Sequence, residues 1–271
     1  MRLALLASGS VALSLLSAPA LAHEFWIEPL DYTVAPDGTV EAHLVNGQIF
    51  DGPTYAYLPN RFSRFEIFSG GLAAPVEARV GDRPALSLAA PAEGLTVVAY
   101  VSTPMNVDYE TFEDFMRFVE HKGFEDVPAR HAEAGHPMEN FREVYTRHAK
   151  ALVAVGAGDG ADSHIGLETE IVALENPYTG DMSDGIDVQV FYGDAPRADA
   201  QVELFDKAPD GSVEVTLHRT DGDGIVTLPV APGHSYLVDA VILRSPLGDL
   251  AAERGAAWES LWASLTFAVP E

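Results

Sequence analysis

Turn-forming residues cut this chain into short segments, and that punctuation constrains its fold more than any other feature. Gly, Pro, Asn and Asp clusters recur about every eight to twelve residues over most of the length, a spacing typical of sandwiches built from short strands. Gly47, Asp51-Gly52-Pro53 and Pro59-Asn60 punctuate the first part; Asn176-Pro177, Gly193-Asp194-Ala195-Pro196 and Asp221-Gly222-Asp223-Gly224 punctuate the last. Between the turns the pattern is that of strands. Val40, Ala42 and Leu44 alternate with Glu41, His43 and Val45, and residues 62–68, 76–80 and 95–101 add further candidates. After residue 165, stretches 167–174, 186–191, 201–205, 213–217, 225–230, 236–243 and 265–269 form a second set. The chain is therefore predicted to be mainly β, with two β-sandwich (immunoglobulin/transthyretin-like) domains over 23–107 and 165–271.

The period changes between them, and residues 108–155 are predicted as a helical insertion. Phe112, Phe115, Met116 and Val119 fall at i, i+3, i+4 and i+7, one face of an amphipathic helix. Thr111 with Asp114 three residues on caps its start, and Gly123 ends it. A polar stretch follows over 125–140. Phe141, Val144, Tyr145, His148 and Leu152 then mark a second helix.

The first 22 residues read as a secretory signal peptide. Arg2 supplies a positive n-region, an apolar run follows, and Ala20-Leu21-Ala22 is an A-x-A cleavage site. The run is too short for a membrane span, and no spanning run follows, so no membrane anchor is expected. The expected location is the periplasm. The mature protein then has no cysteine in an oxidising compartment and relies on its core alone.

Composition narrows the partners. There are 41 Asp and Glu against 16 Lys and Arg, a net charge of −25, which excludes a nucleic-acid surface and disfavours anionic lipid. Removing residues 1–22 takes away one arginine and no acid. With no thiol, any bound metal must be held by nitrogen and oxygen.

Cleavage after Ala22 makes His23 the first residue, offering an α-amine and an imidazole to one metal; such a chelate suits Cu(II), Ni(II) or Co(II). The plain alternative is a residue that merely follows a cleavage site. His43 is either a surface histidine or the second imidazole of that site. His131 and His136, with Glu133 and Glu139, lie in the polar stretch; they are either a cation-capture loop or a solvated loop, and their spacing is not that of a helical zinc pair. His148 is either a ligand or a core histidine on the apolar helix face. His121 is expected to be exposed, His218 to face solvent, and His164 to sit in a loop beside Asp159 and Asp162. Asp221-Gly222-Asp223-Gly224 reads better as a hairpin turn than as a calcium loop. Trp258 and Trp262 read as core or interface anchors, with a carbohydrate platform as the alternative. No nucleophilic triad, phosphate loop or dinucleotide fingerprint is present, so no catalytic residue is assigned.

Several stretches also carry a family resemblance: A-H-E-F-W-I-E-P at 22–29, F-R-E-V-Y-T-R-H-A-K-A-L-V at 141–153, L-E-T-E-I-V-A-L-E-N-P at 167–177, V-F-Y-G-D-A-P-R-A-D-A-Q-V at 190–202 and W-E-S-L-W-A-S-L-T-F at 258–267. In order and spacing they resemble a NikM-like periplasmic domain-of-unknown-function family associated with nickel and cobalt uptake. The resemblance implies a transition-metal ion as cargo and a membrane metal transporter as partner. The expected function is thus transition-metal binding (nickel, cobalt or copper) in uptake or homeostasis, and not catalysis. Two alternatives stand beside it: a copper-dependent oxidative enzyme using the N-terminal histidine, and a β-sandwich scaffold that binds no metal.

Overall fold

The computed structural model describes residues 23–90 and 92–271; the expected signal peptide lies outside the described residues. The architecture is mainly β, as the turn spacing predicts. A ten-stranded sheet forms the middle. Its main path runs, in spatial order, through Val213–Arg219, Gln201–Lys207, Ser235–Arg244, Ala256–Ala268, Glu139–Val155, Gly94–Ser102, Phe62–Ser69 and Leu72–Pro75. Two smaller sheets cover it. One contains Glu24–Pro29, Thr39–Gly47 and Leu86–Ala89; the other contains Thr169–Ala173, Ile186–Tyr192 and Ile225–Leu228.

The covers lie on opposite faces, and the Glu139–Val155 strand shows this directly. Ala149, Ala151, Val153 and Val155 pack into one core with Phe25, Ile27, Val40 and Leu44. Leu152 packs into the other with Ile171, Val188 and Leu265. Successive side chains on a strand point to opposite faces, so one strand serves both sandwiches. It pairs in parallel with Ala256–Ala268 and antiparallel with Gly94–Ser102, joining the two halves through backbone hydrogen bonds.

This strand corrects the expected second helix. Phe141, Val144, Tyr145, His148 and Leu152 sit at spacings that mimic a helical face, but the segment is 17 residues of β-strand. Every residue from Arg147 to Val155 is buried. A strand covered on both faces loses its two-residue alternation, so hydrophobic periodicity cannot distinguish it from a helix. Within 108–155 the structure is helical only at Phe112–His121 and Val127–Glu133. Lys150 is fully buried in the strand, where its ammonium meets Asp162 at 2.7 Å and Glu170 at 2.9 Å. That pairing ties the 156–168 connection down.

The first helix forms as expected. The Thr111 hydroxyl accepts from Asp114 N–H, and Gly123 turns the chain at φ +72°. Phe115, Phe118 and Val119 pack against Phe141, Trp258 and Trp262. Trp258 and Trp262 are core anchors, at 1% and 4% exposure. No helix among the described residues is long and apolar enough to cross a membrane.

Candidate metal centre

Three elements distant in sequence meet where the first helix ends. Glu24 opens the first strand, with Gly47 opposite. A Cβ at Gly47 would stand 2.0 Å from the Asp51 carbonyl oxygen, so only glycine permits that close approach. His121 and Lys122 close the helix. Gln201 donates to the His121 carbonyl at 2.8 Å, satisfying a carbonyl that the helix end leaves open. Glu203 and Asp239 are direct cross-strand partners in the central sheet.

Two carboxylates directly opposite each other repel, and here both are buried. Lys122 is the internal counterion. Its ammonium donates to Glu203 at 2.8 Å, Asp239 at 3.0 Å and Glu24 at 3.3 Å, and lies 4.8 Å from the centre of the Trp262 ring. Burial opposes the charge on Lys122, and the three carboxylates outweigh it, keeping the ammonium protonated. Three carboxylates outnumber this lysine and the buried Arg147 guanidinium that also acts on Glu24 and Asp239, so a deficit of positive charge remains. Burial raises the Glu24 carboxyl to about 7 against the pull of Lys122. Asp239 is also raised by burial, with Lys122 opposing. Burial pushes Glu203 up as well, but hydrogen bonding from His121 and the charge of Lys122 bring it below its ordinary value.

His121 completes the group. Its Nε2 lies 3.2 Å from Glu203 Oε1, and its side chain is 37% exposed. The hydrogen bond to Glu203 raises its pKa. One donor atom each from Glu24, His121 and Glu203 lies within 4.8 Å of the others. One imidazole and two carboxylates make a nitrogen and oxygen set suited to a borderline divalent ion. Arg147 stands beside this corner. It donates to the His23 carbonyl at 2.6 Å, and its guanidinium lies 4.0 Å from the centre of the Trp262 ring.

The histidines expected from sequence are dispersed. His23 is exposed and lines a hollow with Asn46, Gln48 and Asp51. His43 stands opposite Glu28, five residues along the strand from His23. At ~3.4 Å per residue that is about 17 Å, so the pair expected of a two-histidine copper centre does not form. His131 is a buried core residue, not part of a solvated loop. Trp258 Nε1–H donates to its Nδ1 at 3.0 Å, and its Nε2 donates to the Pro137 carbonyl at 3.0 Å. Both ring nitrogens are therefore committed. His136 packs at 5.3 Å from the His131 ring and supplies no second ligand to a shared ion. His148 is buried in the central strand, far along it from Phe141, and burial lowers its pKa to about 4. It belongs to the core.

Sequence reasoning singled out none of Glu24, Lys122, Glu203 or Asp239, and placed His121 as a plain surface residue. A signal was available. Glu203 interrupts Val202-Glu203-Leu204-Phe205, and Asp239 interrupts Leu237-Val238-Asp239-Ala240-Val241. A lone acid inside an apolar strand run is a buried charge that needs a partner.

Among solved structures the chain is similar to the D0–D1 domain of intimin, at 14% identity over 91% of this chain and 98% of that one, with a TM-score of 0.21. It is also similar to a tetra-tandem repeat in the extending region of a large adhesion protein, at 11% identity over 91% of this chain and 49% of that one, with a TM-score of 0.20. No curated protein matches. Residues 20–244 match the model of the family described as Domain of unknown function (DUF4198), and the chain belongs to that family.

Proposed function

We propose that this protein is an exported transition-metal-binding protein that serves metal uptake or homeostasis in the periplasm. The observation that carries the reading is the Glu24–His121–Glu203 group, with its donor atoms within 4.8 Å and its excess of buried carboxylate over cation. A divalent ion supplies the missing positive charge and competes with the proton that Glu24, raised to about 7, binds as pH falls. The acidic chain raises the local concentration of cations around it. Nickel, cobalt and copper(II) all accept an imidazole and carboxylate set, and the NikM-like resemblance favours nickel or cobalt. His23 immediately precedes Glu24, so signal cleavage after Ala22 adds an amine and an imidazole next to a ligand in sequence. A membrane metal transporter is the partner this role calls for.

The test is elemental analysis of the natively exported protein, its first residue verified by mass. The expected result is stoichiometric Ni, Co, Cu or Zn, lost in both His121→Ala and Glu203→Gln. Metal content unchanged in both variants contradicts the assignment.

A further inference from the structure

A separate cavity lies between the first small sheet and the central sheet. Its volume is about 330 Å³, within the usual size of small-molecule sites, roughly 300–1,000 Å³. Five aromatic residues line it: Phe25, Tyr55, Phe62, Tyr100 and Tyr145. Phe25, Phe62 and Tyr100 form a connected wall. Phe62 lies 5.7 Å from Tyr100, and Phe25 lies 4.9 Å from Tyr100. The Tyr100 hydroxyl donates to the Arg61 carbonyl at 3.1 Å, fixing the wall to the residue at the cavity's edge.

A polar hollow adjoins it. Arg61, Met105 and Tyr145 line both spaces, and Arg254 lines the outer one with Asn60 and Asn106. Among the described residues most lysines and arginines sit in ion pairs, such as Arg64 with Glu66, Arg142 with Asp108 and Arg244 with Glu259. Arg61 and Arg254 have no carboxylate within ion-pair distance among the described residues, and neither hollow is lined by an acid. In a chain with 41 acids, Arg61 on the aromatic cavity and Arg254 in the hollow that adjoins it form a local positive exception.

We propose that this cavity binds a small carboxylate with an aromatic body, the ring seated among the aromatic side chains and the carboxylate on Arg61 and Arg254. Arginine matches a carboxylate with paired N–H donors, and stacked or edge-on rings accept a flat apolar body. The site is independent of the metal centre, and it stands if no metal binds.

The test uses 3-phenylpropionate, with 3-phenylpropanol and 3-phenylpropylamine as neutral and cationic counterparts, in metal-free buffer. Calorimetry measures affinity, and methyl NMR of Met105 and Leu44 reports the place of binding in the unaltered protein. The carboxylate is expected to bind about tenfold tighter than the alcohol, and the amine weakest. Arg61→Gln with Arg254→Gln should bring the carboxylate down to the alcohol's affinity and leave the alcohol unchanged. Ala56→Trp, which fills the cavity, should abolish binding of all three ligands. Absence of saturable binding, equal affinity for the three ligands, or shifts away from Met105 and Leu44 overturns the proposal.

Discussion

Lys122→Met isolates the charge balance on which the proposed metal centre rests. The side chain is 3% exposed and meets three carboxylates that are 2–5% exposed. Methionine keeps the apolar stem against Trp262 but removes the ammonium that bridges Glu203 and Asp239. Breaking a buried ion pair by deleting one partner costs roughly 3–5 kcal/mol, because the remaining charge is left uncompensated. In a chain of this size, each kcal/mol moves Tm by about 2–4 °C, so the melting point should fall by roughly 6–20 °C. The variant's carboxylates have raised folded-state pKa values and bind protons more readily in the native state than in the unfolded one. The loss should therefore be largest near pH 7.5 and shrink as pH falls toward 5. Urea unfolding at the two pH values measures it. Adding Glu203→Gln and Asp239→Asn to Lys122→Met should restore most of the stability, since the repulsion then disappears with its counterion. A loss under about 1 kcal/mol at pH 7.5, or one that grows on acidification, would mean that Lys122 is not the counterion of these carboxylates.

Other predictions concern neighbouring features. His148 is held near 4 by burial, against its ordinary 6.5. The unfolded chain therefore binds the extra proton between those values, and stability falls by about 3 kcal/mol as pH drops through that window. The difference in urea stability between the native chain and His148→Leu should show this slope. Glu143 has the opposite sign. Burial raises it to about 7 despite hydrogen bonds from Ser260 and Tyr109, so stability is lost as pH rises from about 4.5 to 7, and Glu143→Gln should remove that loss. Gly123→Ala places a Cβ 2.6 Å from Gln201 Oε1 at φ +72°. It should cost about 1–2 kcal/mol in thermal unfolding and weaken cation binding by displacing His121. His43→Ala should leave cation affinity unchanged in a dialysis assay, since His43 lies opposite Glu28 and away from the cluster.

The elements governed by local chemistry were legible in the sequence. The Thr111 cap, the Gly123 stop, the buried Trp258 and Trp262, and the sandwich character all follow from residues a few positions apart. The Glu139–Val155 strand was hidden because both its faces are covered, which erases the alternation that marks a strand. The candidate metal centre was hidden for a different reason. Glu24, His121 and Glu203 come from three segments that only the sheet order brings together, and no local spacing records that meeting. The histidine count drew attention to His131 and His148, which are buried in the core, whereas the histidine beside the acidic group is His121.

Glu24, His121 and Glu203 are proposed to hold a divalent cation together. Cobalt(II) titration of the chain beginning at His23, followed by visible d–d absorption, tests it most directly. Binding should be saturable and stoichiometric, release protons, tighten as pH rises, and be lost in His121→Ala and in Glu203→Gln but kept in His43→Ala. Spectra identical in the native chain and the first two variants would contradict it.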